Sequence, residues 1–187
     1  RTGIHTSAGT CLVSWSGTLF EYLMPSLVMP ETSGTLLAEA NRVAVAEQIR
    51  YGRSRGIPWG ISESAYLLTD AQLNWQYRAF GVPGLGLKRG LGDDLVVAPY
   101  ASALALLFSP HAALSNLRRL AGLGTVGRYG QCEAIDFTPA RLPSGKQHAV
   151  IRSWMVHHLG MTLLACDQVL HEAPMQRRFL ADPMLQA

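Results

Sequence analysis

Helix-forming stretches separated by long connections rich in glycine and aromatics set the architecture of this chain. Residues 36–55 show the pattern: Leu36, Ala40, Val43, Ala44 and Ile49 recur at helical spacing, and Gly56 supplies the stop. Thr18 to Met29 reads as a helix that Pro25 kinks or ends, and Pro30 to Gly34 reads as a turn. Residues 56–69 read as loop, with a short helix expected over Asp70–Tyr77. The segment 81–94 holds Gly81, Gly84, Gly86, Gly90, Gly92 and Pro83, a long irregular connection of the kind that often carries function. Pro99 sits where a helix begins, ending near Ser109, and Pro110 opens the next. Residues 125–145 read as loop or short strand. A long helix is expected from about His148 to His171, and a last one from Pro174 to about Leu180. Alternating strand–helix signals are missing. The expectation is an all-α fold, one domain over residues 1–187 without an internal linker.

Composition removes whole classes of function. Of 187 residues, 48% are hydrophobic and 16% charged, so the chain is not disordered. A net charge of +3 without a long basic run does not describe a nucleic-acid binder. The apolar run Ala103–Phe108 is far too short to span a bilayer, and no direct membrane contact is expected of this segment. Cys11, Cys132 and Cys166 are widely spaced and read as free thiols rather than a metal or disulfide set. Because the chain opens on Arg1 rather than Met, it is expected to be a piece of a longer protein.

Several chemical motifs fail on inspection. Gly81–Gly86 is not a dinucleotide fingerprint, and Gly86-Leu87-Lys88-Arg89 lacks the hydroxyl residue of a phosphate loop; both fit a tightly folded loop better. Ser64 lacks the glycine of a nucleophile elbow. His157 and His158 are adjacent on a helix and point about 100° apart, so one is expected at the site and one in the core, and no metal or other cofactor is expected.

The carboxylates are more informative. Glu21 follows Trp15-Ser16-Gly17, Glu63 follows Trp59-Gly60, and Glu133 and Asp136 follow Tyr129-Gly130. Each is close to arginines, and an ordinary structural ion pair is the competing reading of any one. Carboxylates beside aromatics in glycine-bent loops also suit a sugar site. The rings stack on pyranose faces, the carboxylates accept from hydroxyls, and two of them perform acid, base or nucleophile work at a glycosidic bond.

Long motifs carry a resemblance: Ser14–Pro25, Gly56–Tyr66, Gln76–Leu91, Asp93–Tyr100, Gly127–Gly130, Glu133–Asp136, His157–Met161 and Pro174–Phe179. Through them the chain resembles the glucoamylase-like, transglycosylating domain of bacterial cyclic β-1,2-glucan synthases. The resemblance implies an (α/α)6 barrel, a toroid of which about half is present here, acting on linear β-1,2-glucan. It implies ring closure with the anomeric configuration retained, and Glu63 as nucleophile. The acid/base carboxyl is implied to lie upstream of Trp15. Trp15, Glu21, Trp59, Tyr66, Arg78, Tyr129, Glu133, Asp136 and His157 are implied to line subsites or orient Glu63. A glycosyltransferase region and a phosphorylase-like domain are the implied partners in the parent chain. The implied location is the cytoplasmic side of the bacterial inner membrane. A β-1,2-glucan hydrolase and a non-catalytic glucan-binding remnant are the competing readings. Departures from the family pattern stand at Gln131-Cys132, in place of two aromatics, at Leu159, in place of Gln, and around Cys166-Asp167-Gln168.

Overall fold

The computed structural model describes residues 3–185. Strands β1 (Gly3–Thr6) and β2 (Gly9–Leu12) form an antiparallel hairpin. Helix α1 (Leu19–Leu23) starts where Thr18 Oγ1 accepts from the Glu21 amide at 3.0 Å. Pro25 lacks the N–H an α-helix needs, so the chain tightens into a 3-10 turn over Met24–Leu27. Helix α2 (Leu36–Ser54) starts at the Thr35 hydroxyl, which accepts from Ala38 N, and buries Ala40, Val43 and Ala44 as the spacing predicts. Leu36 is exposed.

Two expectations fail in instructive ways. Residues 70–77 are not helical: β3 (Ser64–Thr69) and β4 (Trp75–Arg78) pair antiparallel, with Ala65 opposite Tyr77. Asp70 decides this locally. Its Oδ1 accepts from the amides of Gln72 and Asn74, both at 2.9 Å, which folds the backbone into a turn before a helix forms. The last long helix likewise begins later than expected, as the strands below explain.

Past the hairpin, residues 81–88 lie along residues 14–17. Ser14 N donates to Leu85 O, Leu87 N to Ser14 O and Lys88 N to Trp15 O. The approach is so close that a Cβ on Gly81 would fall 1.7 Å from Ser16 O. This is the tightly folded loop that the rejected nucleotide motifs suggested. There follow β5 (Val96–Val97), α3 (Pro99–Leu104) with its 3-10 extension to Leu107, and α4 (Pro110–Gly122). A two-residue-strand hairpin, β6 (Val126–Gly127) and β7 (Gly130–Gln131), leads to β8 (Ala134–Asp136) and β9 (Ala149–Ile151). β8 lies between β5 and β9 in one antiparallel sheet. Val150 and Ile151 pair in that sheet and Ile151 is fully buried, so β-branched side chains gain more there than in a helix, and α5 (Val156–Leu170) starts only after them. Helix α6 (Pro174–Leu180) closes the order.

The core joins α1–α4 to the sheet through Leu19, Leu23, Ile61, Leu104, Leu120 and Ile135, all almost wholly buried. The chain is 43% helical and carries four small sheets among its described residues, so it is α-rich rather than all-α. No described helix is long and apolar enough to cross a membrane.

Candidate active site

Glu63 stands at the entrance to β3, and the structure holds it from both ends. Behind it, the buried Gln48 of α2 donates to Ile61 O at 2.7 Å and accepts from Ile61 N at 2.9 Å. Ser62 Oγ accepts from Phe20 N and lies 2.8 Å from Tyr100 Oη; Tyr100 in turn donates to the Glu63 carbonyl at 3.0 Å. The segment 61–63 is therefore tied to α1, α2 and α3 at once.

Its half-buried carboxylate is held separately. Tyr77, on β4, donates to Glu63 Oε1 at 3.1 Å, and its oxygen also lies 3.3 Å from His158 Nε2. His158 Nδ1 faces Glu133, at 2.9 and 3.0 Å from its two carboxylate oxygens. Glu133 further accepts from Ala65 N at 3.3 Å. Tyr100 stacks on His158 with ring centroids 3.7 Å apart. Burial and the neighbouring Glu63 charge push the Tyr77 hydroxyl well above the usual tyrosine range, so it remains a donor. Burial pushes Tyr100 up as well.

Of the residues singled out from sequence, Glu63, Glu133 and His157 meet here. His157 is exposed, its ring 4.0 Å from that of His158 and 6.3 Å from that of Tyr77. Burial, then the charge of His158, lower its basicity. A second group gathers around Arg141. Asp136 is fully buried and accepts from Arg141 Nε at 2.8 Å, Thr138 N at 2.9 Å and Leu67 N at 3.1 Å. Arg141 lies over Tyr66, and Arg78 pairs with Asp94, which Arg141 also binds. This group braces the β3–β4 hairpin from below, and Asp136 presents no face to a ligand. Trp59 is also buried, held by Asn116 through both its backbone N and O. Trp15 and Tyr129 lie on surface loops and Glu21 on the exposed side of α1: Glu21 accepts from Ser16 N and Oγ, and the exposed Tyr129 meets Trp154 edge-on at 5.3 Å.

Sequence reasoning overlooked Tyr77, Tyr100 and His158 as site residues. All three fall inside the quoted motifs, but only the hairpin register and the packing of α3 on α5 bring them to Glu63. The expected departures at Gln131-Cys132 and Leu159 are also spatially related. Gln131, Cys132 and Leu159 line one cavity of about 200 Å³ behind Glu133, His158 and Tyr100.

The family model described as "Putative glucoamylase" matches residues 3–182. The chain belongs to this glucoamylase-like family. Within it, the chain is 51% identical over all its 187 residues to the cyclic β-(1,2)-glucan synthase NdvB of Rhizobium meliloti strain 1021. It spans 7% of that relative's length. The glucoamylase-like fold is shared with two solved structures. An endo-β-1,2-glucanase from Chitinophaga pinensis superposes at a TM-score of 0.69 with 15% identity, over 100% of this chain and 44% of the other. A β-1,2-glucanase from Parabacteroides distasonis does so at 0.62 with 20% identity, over 91% of this chain and 23% of the other.

Proposed function

We propose that this chain carries the nucleophile of a glucoamylase-like domain that closes linear β-1,2-glucan into rings by anomer-retaining transglycosylation. The observation that carries the reading is the Glu63 carboxylate. Its backbone is fixed through Tyr100, and its Oε1 is held by Tyr77. Among the described residues nothing donates to Oε2, which is therefore the attacking atom. Oε2 bonds to the anomeric carbon as the glycosidic C–O bond breaks, and the leaving oxygen takes a proton from a second carboxyl. The far-end hydroxyl of the same chain then attacks the glycosyl-enzyme, returns a proton to that second carboxylate, and expels Glu63. Retention requires the two carboxyls about 5 Å apart. Glu133 is buried and engaged with His158, so the acid/base is assigned to the remainder of the domain.

Coverage of less than half of the Chitinophaga neighbour supports the same division, with this chain forming about half of an (α/α)6 barrel. Exposed Trp15 and Tyr129 are assigned to pyranose stacking, and Glu21, Arg78 and His157 to hydroxyl contacts. Tyr66, Glu133 and Asp136 act from behind, by holding the hairpin, and buried Trp59 acts by fixing the segment before Glu63 to α4. The NdvB likeness supports a parent chain in which a glycosyltransferase region makes the glucan and a phosphorylase-like domain trims it. Such a parent works at the cytoplasmic face of the bacterial inner membrane.

The test is mass spectrometry of products formed by the parent protein from linear β-1,2-glucan. Rings, one water lighter than their linear counterparts, are expected. Glu63→Gln should lower ring formation more than about a thousandfold while glucan still binds. Unchanged ring formation in that variant removes Glu63 from the role, and shorter linear chains alone indicate hydrolysis.

A further inference from the structure

We infer that His158, oriented by Glu133, is the positioning residue that directs the hydroxyl hydrogen of Tyr77 onto Glu63; this rests on Glu63 being the attacking group. Both His158 and Glu133 are buried, at 3% and 4% exposure. An ionised carboxylate only accepts, so the hydrogen between them is on Nδ1. The state of Nε2 then decides what Tyr77 does.

The tyrosine hydroxyl has one hydrogen and two neighbours, Glu63 Oε1 at 3.1 Å and His158 Nε2 at 3.3 Å. With Nε2 bare, both neighbours accept and compete for that hydrogen. With Nε2 protonated, it donates to the Tyr77 oxygen, and Tyr77 donates wholly to Glu63. Every donor in the row from Glu133 to Glu63 then has an acceptor.

Carboxylates and ring faces surround the imidazole. Glu133 touches it, and Glu63 lies beyond Tyr77. The face of Tyr100 covers it at 3.7 Å with the rings 13° from parallel. Tyr77 and Tyr100 both stay protonated. His157 on the same helix lies beside the ring, and burial, then the neighbouring imidazole, lower its basicity. Cys132, across the cavity behind the ring, has its thiol pushed up by burial and adds no charge.

The directed hydrogen serves the second half of the reaction. As the hydroxyl of the glucan attacks and the ester bond to Glu63 breaks, charge returns to the departing carboxylate, and Tyr77 stabilises it at Oε1. Removing Tyr77 therefore slows breakdown of the glycosyl-enzyme, so kcat and KM fall together.

The experiment is kcat and KM for ring formation by the parent protein and by its Tyr77→Phe, His158→Gln, His158→Ala and Glu63→Gln variants. Tyr77→Phe should lower kcat about 10–100-fold, with KM falling too, as expected for one hydrogen bond to a charged group. His158→Gln keeps an amide donor. It should lower kcat and KM together yet retain more rate than His158→Ala. If Glu63→Gln abolishes rings while Tyr77→Phe and His158→Gln keep the original kcat and KM, this inference falls and the nucleophile assignment stands. Glu63→Gln with full activity overturns both. Equal losses in His158→Gln and His158→Ala with weakened glucan binding mark a purely structural role and also overturn it.

Discussion

Replacing Gln48 by Met removes the anchor of the Glu63 loop without changing its packing much. Gln48 is fully buried in α2. Its Nε2 donates to Ile61 O at 2.7 Å, and its Oε1 accepts from Ile61 N at 2.9 Å and Gly60 N at 3.3 Å. Methionine has nearly the same length and fills the same slot. What is lost is the partner of three backbone groups in a dry region. Each buried group left unsatisfied costs about 1–3 kcal/mol. The Gly60 contact is the longest and counts least, which puts the total at about 3–5 kcal/mol. At about 2–4 °C per kcal/mol for a chain of this size, the midpoint of unfolding should fall by about 6–20 °C. Differential scanning calorimetry of the protein and variant in one buffer reads this directly. A midpoint within about 2 °C of the original would refute the reasoning, because those backbone groups would then have other partners.

The thiols should separate by burial. Cys11 and Cys132 are buried with their thiolates disfavoured, while Cys166 is half-buried, so a disulfide exchange reagent near neutral pH should label Cys166 first and the other two only on unfolding. His157 binds a proton less readily folded than unfolded, so it costs stability as pH falls through and below the ordinary histidine range. His157→Asn should flatten the loss of melting temperature between about pH 7 and about pH 5; an unchanged slope would assign that loss to other groups. Gly81→Ala should abolish folding or cost at least about 4 kcal/mol by soluble yield and melting, since its Cβ would meet the Ser16 carbonyl. Gly122→Ala, with nothing within 4 Å of the added carbon, should be neutral or slightly stabilising.

Residues that act through local rules were legible in the sequence. The proline at position 25, the stripe of α2 and the proline starts of α3, α4 and α6 all announce themselves within one or two turns. The small sheets did not, because their strands are only two to six residues long and pair across the chain, as β5 does with β8. The Asp70 turn left a signal, an Asp four residues before an Asn, that helical spacing outweighed. At the site, carboxylates beside aromatics pointed to Glu63 and Glu133. They did not separate a carboxylate that faces solvent from one sealed inside, such as Asp136. That distinction depends on Arg141 and Thr138, which bind Asp136, and on the central place of β8 between β5 and β9. The choice of histidine turned in the same way, since the buried His158 is the one that binds Glu133.

The cavity shared by Gln131, Cys132 and Leu159 has a consequence for how this family's sequences diverge. Three positions that border one volume of about 200 Å³ are not independent letters. A larger residue at one reduces the room at the other two, and all three press on the wall formed by His158 and Tyr100. Substitutions there should show strong epistasis: an aromatic accepted at 132 alone should be rejected once 159 is also enlarged, although each single change is mild. Through those two rings the packing of the cavity bears on Glu63, whose carbonyl accepts from Tyr100 and whose partner Tyr77 meets His158.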